Sequence, residues 1–235
     1  MFKSLVHPGS FKGGVHPAEA KELSMDSPFE RMPNPKMIYL PLSQHAGKES
    51  KLLVAKGSLV KKGELLAEPD GFISAPIHSP VNGAVTKISK TANLSGVPKT
   101  VIEISVSEES EPSYLEAIDF KTANKTELLD RIKEAGIVGM GGAAFPAFVK
   151  LSPPPGKKID KLIINAAECE PYLTRDYRLM LEYTDELISG IEILMKIIGV
   201  DCVIGIEDNK PKAVEILKNK LGSRTDITVK VLPVK

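Results

Sequence analysis

The chain has 235 residues, 42% hydrophobic and 26% charged, a balance that fits one or two globular domains and excludes a disordered chain. Its 31 basic and 30 acidic residues leave a net charge of +1, without the basic excess that phosphate-neutralising nucleic-acid binders need. The longest apolar run, from Ile188 to Val200, is broken by Glu192 and Lys196 and falls short of the roughly 18–20 residues of a membrane span.

Residues 1–41, rich in Pro, Gly and Lys and without helical period, read as an irregular arm. They contain no apolar signal core, so export is not expected. Residues 42–110 read as short strands every 8–12 residues divided by Gly and Asn-Gly turns: Leu52-Leu53-Val54, Leu59-Val60, Leu65-Leu66-Ala67, Val81-Asn82-Gly83-Ala84-Val85 and Val101-Ile102-Glu103-Ile104. This rhythm resembles the barrel-sandwich hybrid of biotinyl and lipoyl carrier domains. Those carriers need a modifiable Lys at a hairpin tip, and the matching segment, Glu68-Pro69-Asp70-Gly71-Phe72-Ile73, has none. A docking or packing role is the plainer expectation. The stretch 105–113, with Glu108, Glu109 and Glu111 among Ser and Pro, reads as a linker.

Residues 120–235 alternate helix and strand. Asn124 and Glu127 form a capping-box pattern before a helix that stops at Gly136. Strands are expected at 161–165, 202–206 and 227–232. A helix with Leu187, Ile188, Ile191, Leu194, Met195 and Ile198 on one face lies between the first two. Another starts at Pro211 and ends at Gly222. The whole is therefore α/β: an all-β barrel-sandwich hybrid followed by a Rossmann-like parallel βαβαβ domain.

Three segments carry candidate chemistry. The first is Gly136-Ile137-Val138-Gly139-Met140-Gly141-Gly142-Ala143-Ala144-Phe145-Pro146, followed by Lys150. Backbone amides of such a run can approach a phosphate closely, with Lys150 as the opposing cation. It follows a helix rather than a strand, so it is not a dinucleotide fingerprint, and a flexible connection is the alternative. The second is Asn165-Ala166-Ala167-Glu168-Cys169-Glu170-Pro171-Tyr172, at the carboxyl end of the first parallel strand, where α/β sheets bind ligands. Asn165 can donate to and accept from a ring edge, and Glu168 and Glu170 can accept from ribose hydroxyls. If the loop is extended, the two carboxylates share one side and Cys169 points to the other. A solvated acidic loop is the alternative. The third is Ile206-Glu207-Asp208-Asn209-Lys210-Pro211, again at a strand's carboxyl end beside the expected ligand crevice; helix capping by Asp208 or Asn209 with Pro211 near the start is the alternative, and it accounts for Asn209 and Pro211 but not for Glu207 and Asp208.

Cys169 and Cys202 are the two cysteines, too few and too far apart for a disulfide framework or a complete iron–sulfur site within this chain. Cys169 is expected to be a buried structural thiol in a reducing compartment. His45 and His78, both in the β-rich half, are expected to pack or to bond backbone rather than to bind metal.

Taken together, Phe11-Lys12-Gly13-Gly14-Val15-His16-Pro17, Pro41-Leu42-Ser43-Gln44-His45, the glycine loop and the Asn165–Tyr172 loop resemble the C subunit of Rnf-type electron transport complexes. The two loops are also similar to the flavoprotein subunit of respiratory complex I. The resemblance implies an FMN site at Gly139, Gly141, Gly142, Lys150, Asn165 and Glu168, with NADH toward Phe145 and Glu170. It implies a peripheral subunit on the cytoplasmic face of the membrane, within an ion-translocating NAD:ferredoxin oxidoreductase whose other subunits and ferredoxin are its partners. It further implies that 4Fe-4S clusters lie in sequence beyond Lys235, so that this chain is part of a longer protein and inactive alone. Ala167 stands where the complex I loop has an acidic residue, which leaves one flavin contact missing or replaced. The alternative is a non-catalytic docking or scaffold module of the same kind of complex.

Overall fold

The computed structural model describes residues 17–92, 96–108 and 110–234; the motif from Phe11 to His16 lies outside them. The chain forms two compact units, one of Met32–Lys157 and one of 17–31 with Lys158–Lys235.

In the first unit, β1 (Met37–Pro41), β7 (Pro98–Val106), β6 (Gly83–Ala92) and β3 (Leu59–Val60) form an antiparallel sheet in the order β1-β7-β6-β3. A second sheet runs β2-β4-β5, from Lys51–Leu52, Leu65–Glu68 and Ile77–His78. Residues of both sheets, among them Leu66, Ile77, Val85, Ile102 and Ile104, bury a common core with Leu42, which follows β1. This is the barrel-sandwich hybrid expected from the strand rhythm. The strand β1 falls in the segment read as an irregular arm. Its residues pair from Met37↔Ser105 to Pro41↔Val101, so the sheet reaches further toward the N-terminus than the composition suggested.

The same unit holds α1 (Lys125–Glu134) and the short α2 (Ala147–Lys150). Asn124 caps α1 in a full capping box with Glu127. At the other end Gly136, with φ 68°, donates to Lys133 O, and Ile137 donates to Ile132 O, a Schellman closure. A Cβ on Gly136 would stand 2.7 Å from Pro76 O, so both the turn and the close approach to the barrel require glycine.

In the second unit, β8 (Leu162–Ala166), β9 (Cys202–Glu207) and β10 (Ile227–Leu232) form a parallel sheet with β9 in the centre. Between β8 and β9 the chain makes two helices, α3 (Arg175–Glu182) and α4 (Thr184–Ile198), of which only the second was expected. Helix α5 (Pro211–Leu221) leads to β10. Tyr177, Met180, Ile191, Ala213 and Leu217 from these helices pack on Cys202, Ile204 and Ile206, one face of β9. On the opposite face of the sheet Ile163 and Asn165 of β8 stay exposed, and Val203, Gly205 and Glu207 of β9 are half-buried. The βαβαβ reading of the sequence is what forms.

One titration tests the barrel core. His78 sits on β5, where burial holds its imidazole below the ordinary histidine value, against a weaker opposite pull from Glu134 on α1. A base with a depressed folded pKa leaves stability intact above the unfolded value of about 6.5, and stability falls as the pH drops through the folded value. Urea unfolding should show wild-type stability declining between neutral pH and pH 5, with a flatter profile in His78→Gln. Parallel profiles would contradict this account.

Candidate functional site

The loop after β8 is anchored by a buried charge cluster. Lys210, immediately before α5, is 2% exposed. Its ammonium donates to Asn209 Oδ1 at 3.1 Å and to Glu207 Oε2, and it stands 3.9 Å from Glu168 Oε2. Glu168 Oε1 accepts the Asp176 amide at 2.7 Å, where the positive end of α3 favours a carboxylate. The Glu168 amide donates to Glu207 Oε2 at 3.1 Å. Glu168 Oε2 is buried without a hydrogen-bond partner.

The side chain expected on a flavin is thus turned inward. The expected alternation fails with it: Glu168 is buried, whereas Cys169 and Glu170 are both exposed. The loop is not extended, since it passes through a left-handed residue at Tyr172, φ 67°. Cys202, not Cys169, is the buried thiol, and burial raises its pKa. Asn165 is exposed; its Oδ1 accepts the Ala167 amide at 3.1 Å, which leaves its NH₂ group facing outward as a donor. The expected helix cap also differs. Pro211 does open α5, but Asn209 donates to Glu19 Oε2 at 2.9 Å and Asp208 Oδ1 accepts the Val234 amide at 3.1 Å.

Residues 17–31 form a strap over this rim. Lys21 Nζ donates to the carbonyls of Glu168 (3.0 Å), Glu170 (3.2 Å) and Leu173 (2.9 Å). Met25 packs on the unit's core, Arg178 donates to Met25 O at 3.2 Å, and Phe29 stacks at a tilt on Tyr183 with centroids 5.8 Å apart. A cavity of about 190 Å³ remains between strap and rim, lined by Glu168, Tyr177 and Lys210 with Glu19, Lys21 and Glu22. Among the described residues no cluster of three or more His, Cys, Asp and Glu side chains is placed to hold a metal ion.

The glycine loop belongs to the barrel unit. Val138 pairs with Pro146, the Gly139 amide donates to Phe145 O at 2.9 Å, and the Ala147 amide donates to Ile137 O at 2.9 Å. These bonds close the base of the loop. Its flank is held by the Ala46 amide, which donates to Ala144 O at 3.1 Å. The 45–50 segment is pinned in turn by His45 Nε2 to Ser50 Oγ at 2.8 Å and Ser50 Oγ to Ala75 O at 2.7 Å; the His45 ring also meets backbone, with Nδ1 3.1 Å from Ala46 O and the Ala75 amide donating to Nε2 at 3.3 Å, the backbone bonding expected of it. Gly141 and Gly142 are exposed, have no positive φ, and would meet no atom within 4 Å if given a Cβ; at Gly139 the nearest atom is 3.8 Å away. Neither conformation nor internal packing demands glycine at 141 and 142. What glycine leaves there is bare backbone that a phosphate can approach closely. Lys150 is exposed at the end of α2, and Phe145 is half-buried.

Two segments of the chain have recognisable relatives. Residues 9–109 match the RnfC barrel sandwich hybrid domain, and residues 132–235 match the Nuo51 FMN-binding domain. Segment by segment, the chain thus resembles an Rnf-type barrel sandwich hybrid followed by the FMN-binding domain of the Nuo51 type. The C subunit of the proton-translocating ferredoxin:NAD(+) oxidoreductase complex of Clostridium ljungdahlii is 45% identical over 231 residues, 96% of this chain and 50% of that protein. Its counterpart in the Na(+)-translocating ferredoxin:NAD(+) oxidoreductase complex of Acetobacterium woodii is 38% identical over 227 residues, 95% of this chain and 51% of that protein. The corresponding component of the ion-translocating oxidoreductase complex of Edwardsiella ictaluri is 41% identical over 229 residues, 96% of this chain and 28% of that protein. The chain is thus similar to the C subunits of these complexes along almost all of its own length, and spans about half the length of the first two of these relatives.

Sequence reasoning missed Lys21 and Lys210. Lys210 carried a signal, its spacing of three from Glu207 at a strand's carboxyl end; Lys21 carried none, because its partners lie about 150 residues away. The charge cluster makes a direct prediction. Lys210→Met leaves two largely buried carboxylates without their cation and should cost about 3–5 kcal/mol in urea unfolding, with part of the loss recovered when Glu168→Gln is added. A change below about 1 kcal/mol would show that the ammonium does not hold the rim.

Proposed function

We propose that this chain handles flavin and nicotinamide nucleotide for an electron transport complex that exchanges electrons between NAD(H) and ferredoxin. The observation that carries the reading is the bare backbone at Gly141 and Gly142 within a segment that matches an FMN-binding domain. In this reading the amides around Gly139, Gly141 and Gly142 hold the FMN phosphate, with Lys150 as counter-charge. Asn165 offers its outward NH₂ group to the ring edge. Glu170, exposed, and Phe145, half-buried, serve the nicotinamide nucleotide. Glu168 serves by holding its loop, its carboxylate being engaged with Asp176 and Lys210.

When bound, the flavin supplies the exchange between hydride and single-electron chemistry. The residues' work is to seat, orient and electrostatically balance it; no side chain need act as acid or base. The iron–sulfur clusters that pass electrons on lie outside these residues, as do ferredoxin and the other subunits. The protein sits peripherally on the cytoplasmic face; among the described residues no helix is long and apolar enough to cross a membrane.

FMN titrated into the chain should lose fluorescence on binding. Gly141→Val should weaken that binding at least about tenfold with an unchanged circular dichroism spectrum, because the added side chain fills ligand space rather than protein space. Lys150→Ala should weaken it several-fold, more at low salt than at high. Wild-type affinity in both variants would dismiss the site and favour the docking-module alternative.

A further inference from the structure

We propose that Lys21 is a positioning residue for the acidic loop, acting as a tethered cation around which the loop's carbonyls gather. The loop has a difficult task. It must turn the Glu168 carboxylate inward and leave that of Glu170 outside two residues later, and it adopts a left-handed backbone at Tyr172, a conformation that a residue with a side chain takes only when its surroundings impose it.

The surroundings that impose it come from the strap. The Tyr172 amide donates to Glu19 O at 2.8 Å, and its carbonyl accepts from Ser24 Oγ at 2.6 Å. The Lys21 ammonium has three hydrogens, and three carbonyls of one six-residue stretch accept from it: Glu168, Glu170 and Leu173. Three backbone oxygens converging on one point repel each other unless a cation sits among them, the arrangement by which carbonyls hold an alkali ion. Lys21 supplies that charge from within the chain. With the carbonyls of Glu168 and Glu170 both fixed, the backbone that carries the Glu170 side chain is fixed too. The loop is thus shaped before any ligand arrives, which is what a binding group needs if ordering is not to be charged against affinity.

The ligand part of this inference rests on Glu170 serving the nicotinamide nucleotide, so the test has one arm that does not depend on it. In the full chain, hydrogen exchange is followed at the Tyr172 amide and, as an internal control, at Ile204 in the sheet core. Lys21→Met should speed exchange at Tyr172 at least about tenfold, the size of one lost charge-assisted hydrogen bond, and leave Ile204 unchanged. Lys21→Ala should behave likewise and regain protection when n-propylammonium, the severed part of the side chain, is added; n-propanol should not restore it. In the second arm, the Kd for NADH should rise about tenfold in Lys21→Met and recover in Lys21→Ala with n-propylammonium. Unchanged exchange at Tyr172, or equal acceleration at Ile204 with no rescue, overturns the proposal. If wild-type chain fails to bind NADH, the nucleotide reading of the loop falls, and the exchange arm still decides whether Lys21 shapes it.

Discussion

A lysine only 2% exposed is the constraint on which the αβ unit turns. Taking such a charge out of water costs several kcal/mol, and only close carboxylates and further hydrogen bonds offset it. Lys210 meets that demand by drawing in Glu207 from the end of β9, Glu168 from the loop after β8, and Asn209 beside it. Glu168 then reaches the first turn of α3 through the Asp176 amide. One charge therefore ties two strand ends and two helix starts at the carboxyl rim of the sheet. Apolar packing of Ile204, Ile206 and Leu217 supplies the unit's bulk cohesion, but it is non-directional and would leave the rim free to take several shapes.

The rim is defined from inside by that charge and from outside by the strap. Between them, every polar group of Glu168 except Oε2 has a fixed partner. The glycine loop is the opposite case. It is closed at its base by backbone pairing, pinned at Ala144 by the barrel unit, and bare at its tip. In the proposed reading the tied acidic loop suits the orienting of a functional group and the open amide surface the acceptance of an anion.

Much of the architecture was legible because its signals are local. The capping box at Asn124, the Gly136 stop, the 3.6-residue period of α4 and the Pro211 start of α5 all rest on contacts within a few residues. Helix α3 escaped because it spans only eight residues before the turn at Tyr183, too few for its Tyr177 and Met180 stripe to stand out. The site was less legible than the fold. Glu168 looked like a ligand because it follows a strand's carboxyl end, and nothing nearby in sequence announced that Lys210, 42 positions on, would claim its carboxylate. Asn209 has the chemistry of a helix cap, yet its amide is taken by Glu19 from the far end of the chain. Long-range partners decide between roles that a residue type leaves open.

The matched flavin-binding segment begins at residue 132, yet the compact unit that contains the glycine loop runs on to Lys157. Ancestry and mechanics thus divide this polypeptide at different places. Gly136 is pressed against Pro76 O, and Ala46 grips Ala144, so the loop is clamped to the barrel although its lineage lies with the segment downstream. The barrel cannot be exchanged for an unrelated domain without depriving the loop of its footing. Any recombination that shuffled this module had to carry the barrel's 45–48 and 76 backbone along, or re-create an equivalent shelf for the loop to rest on.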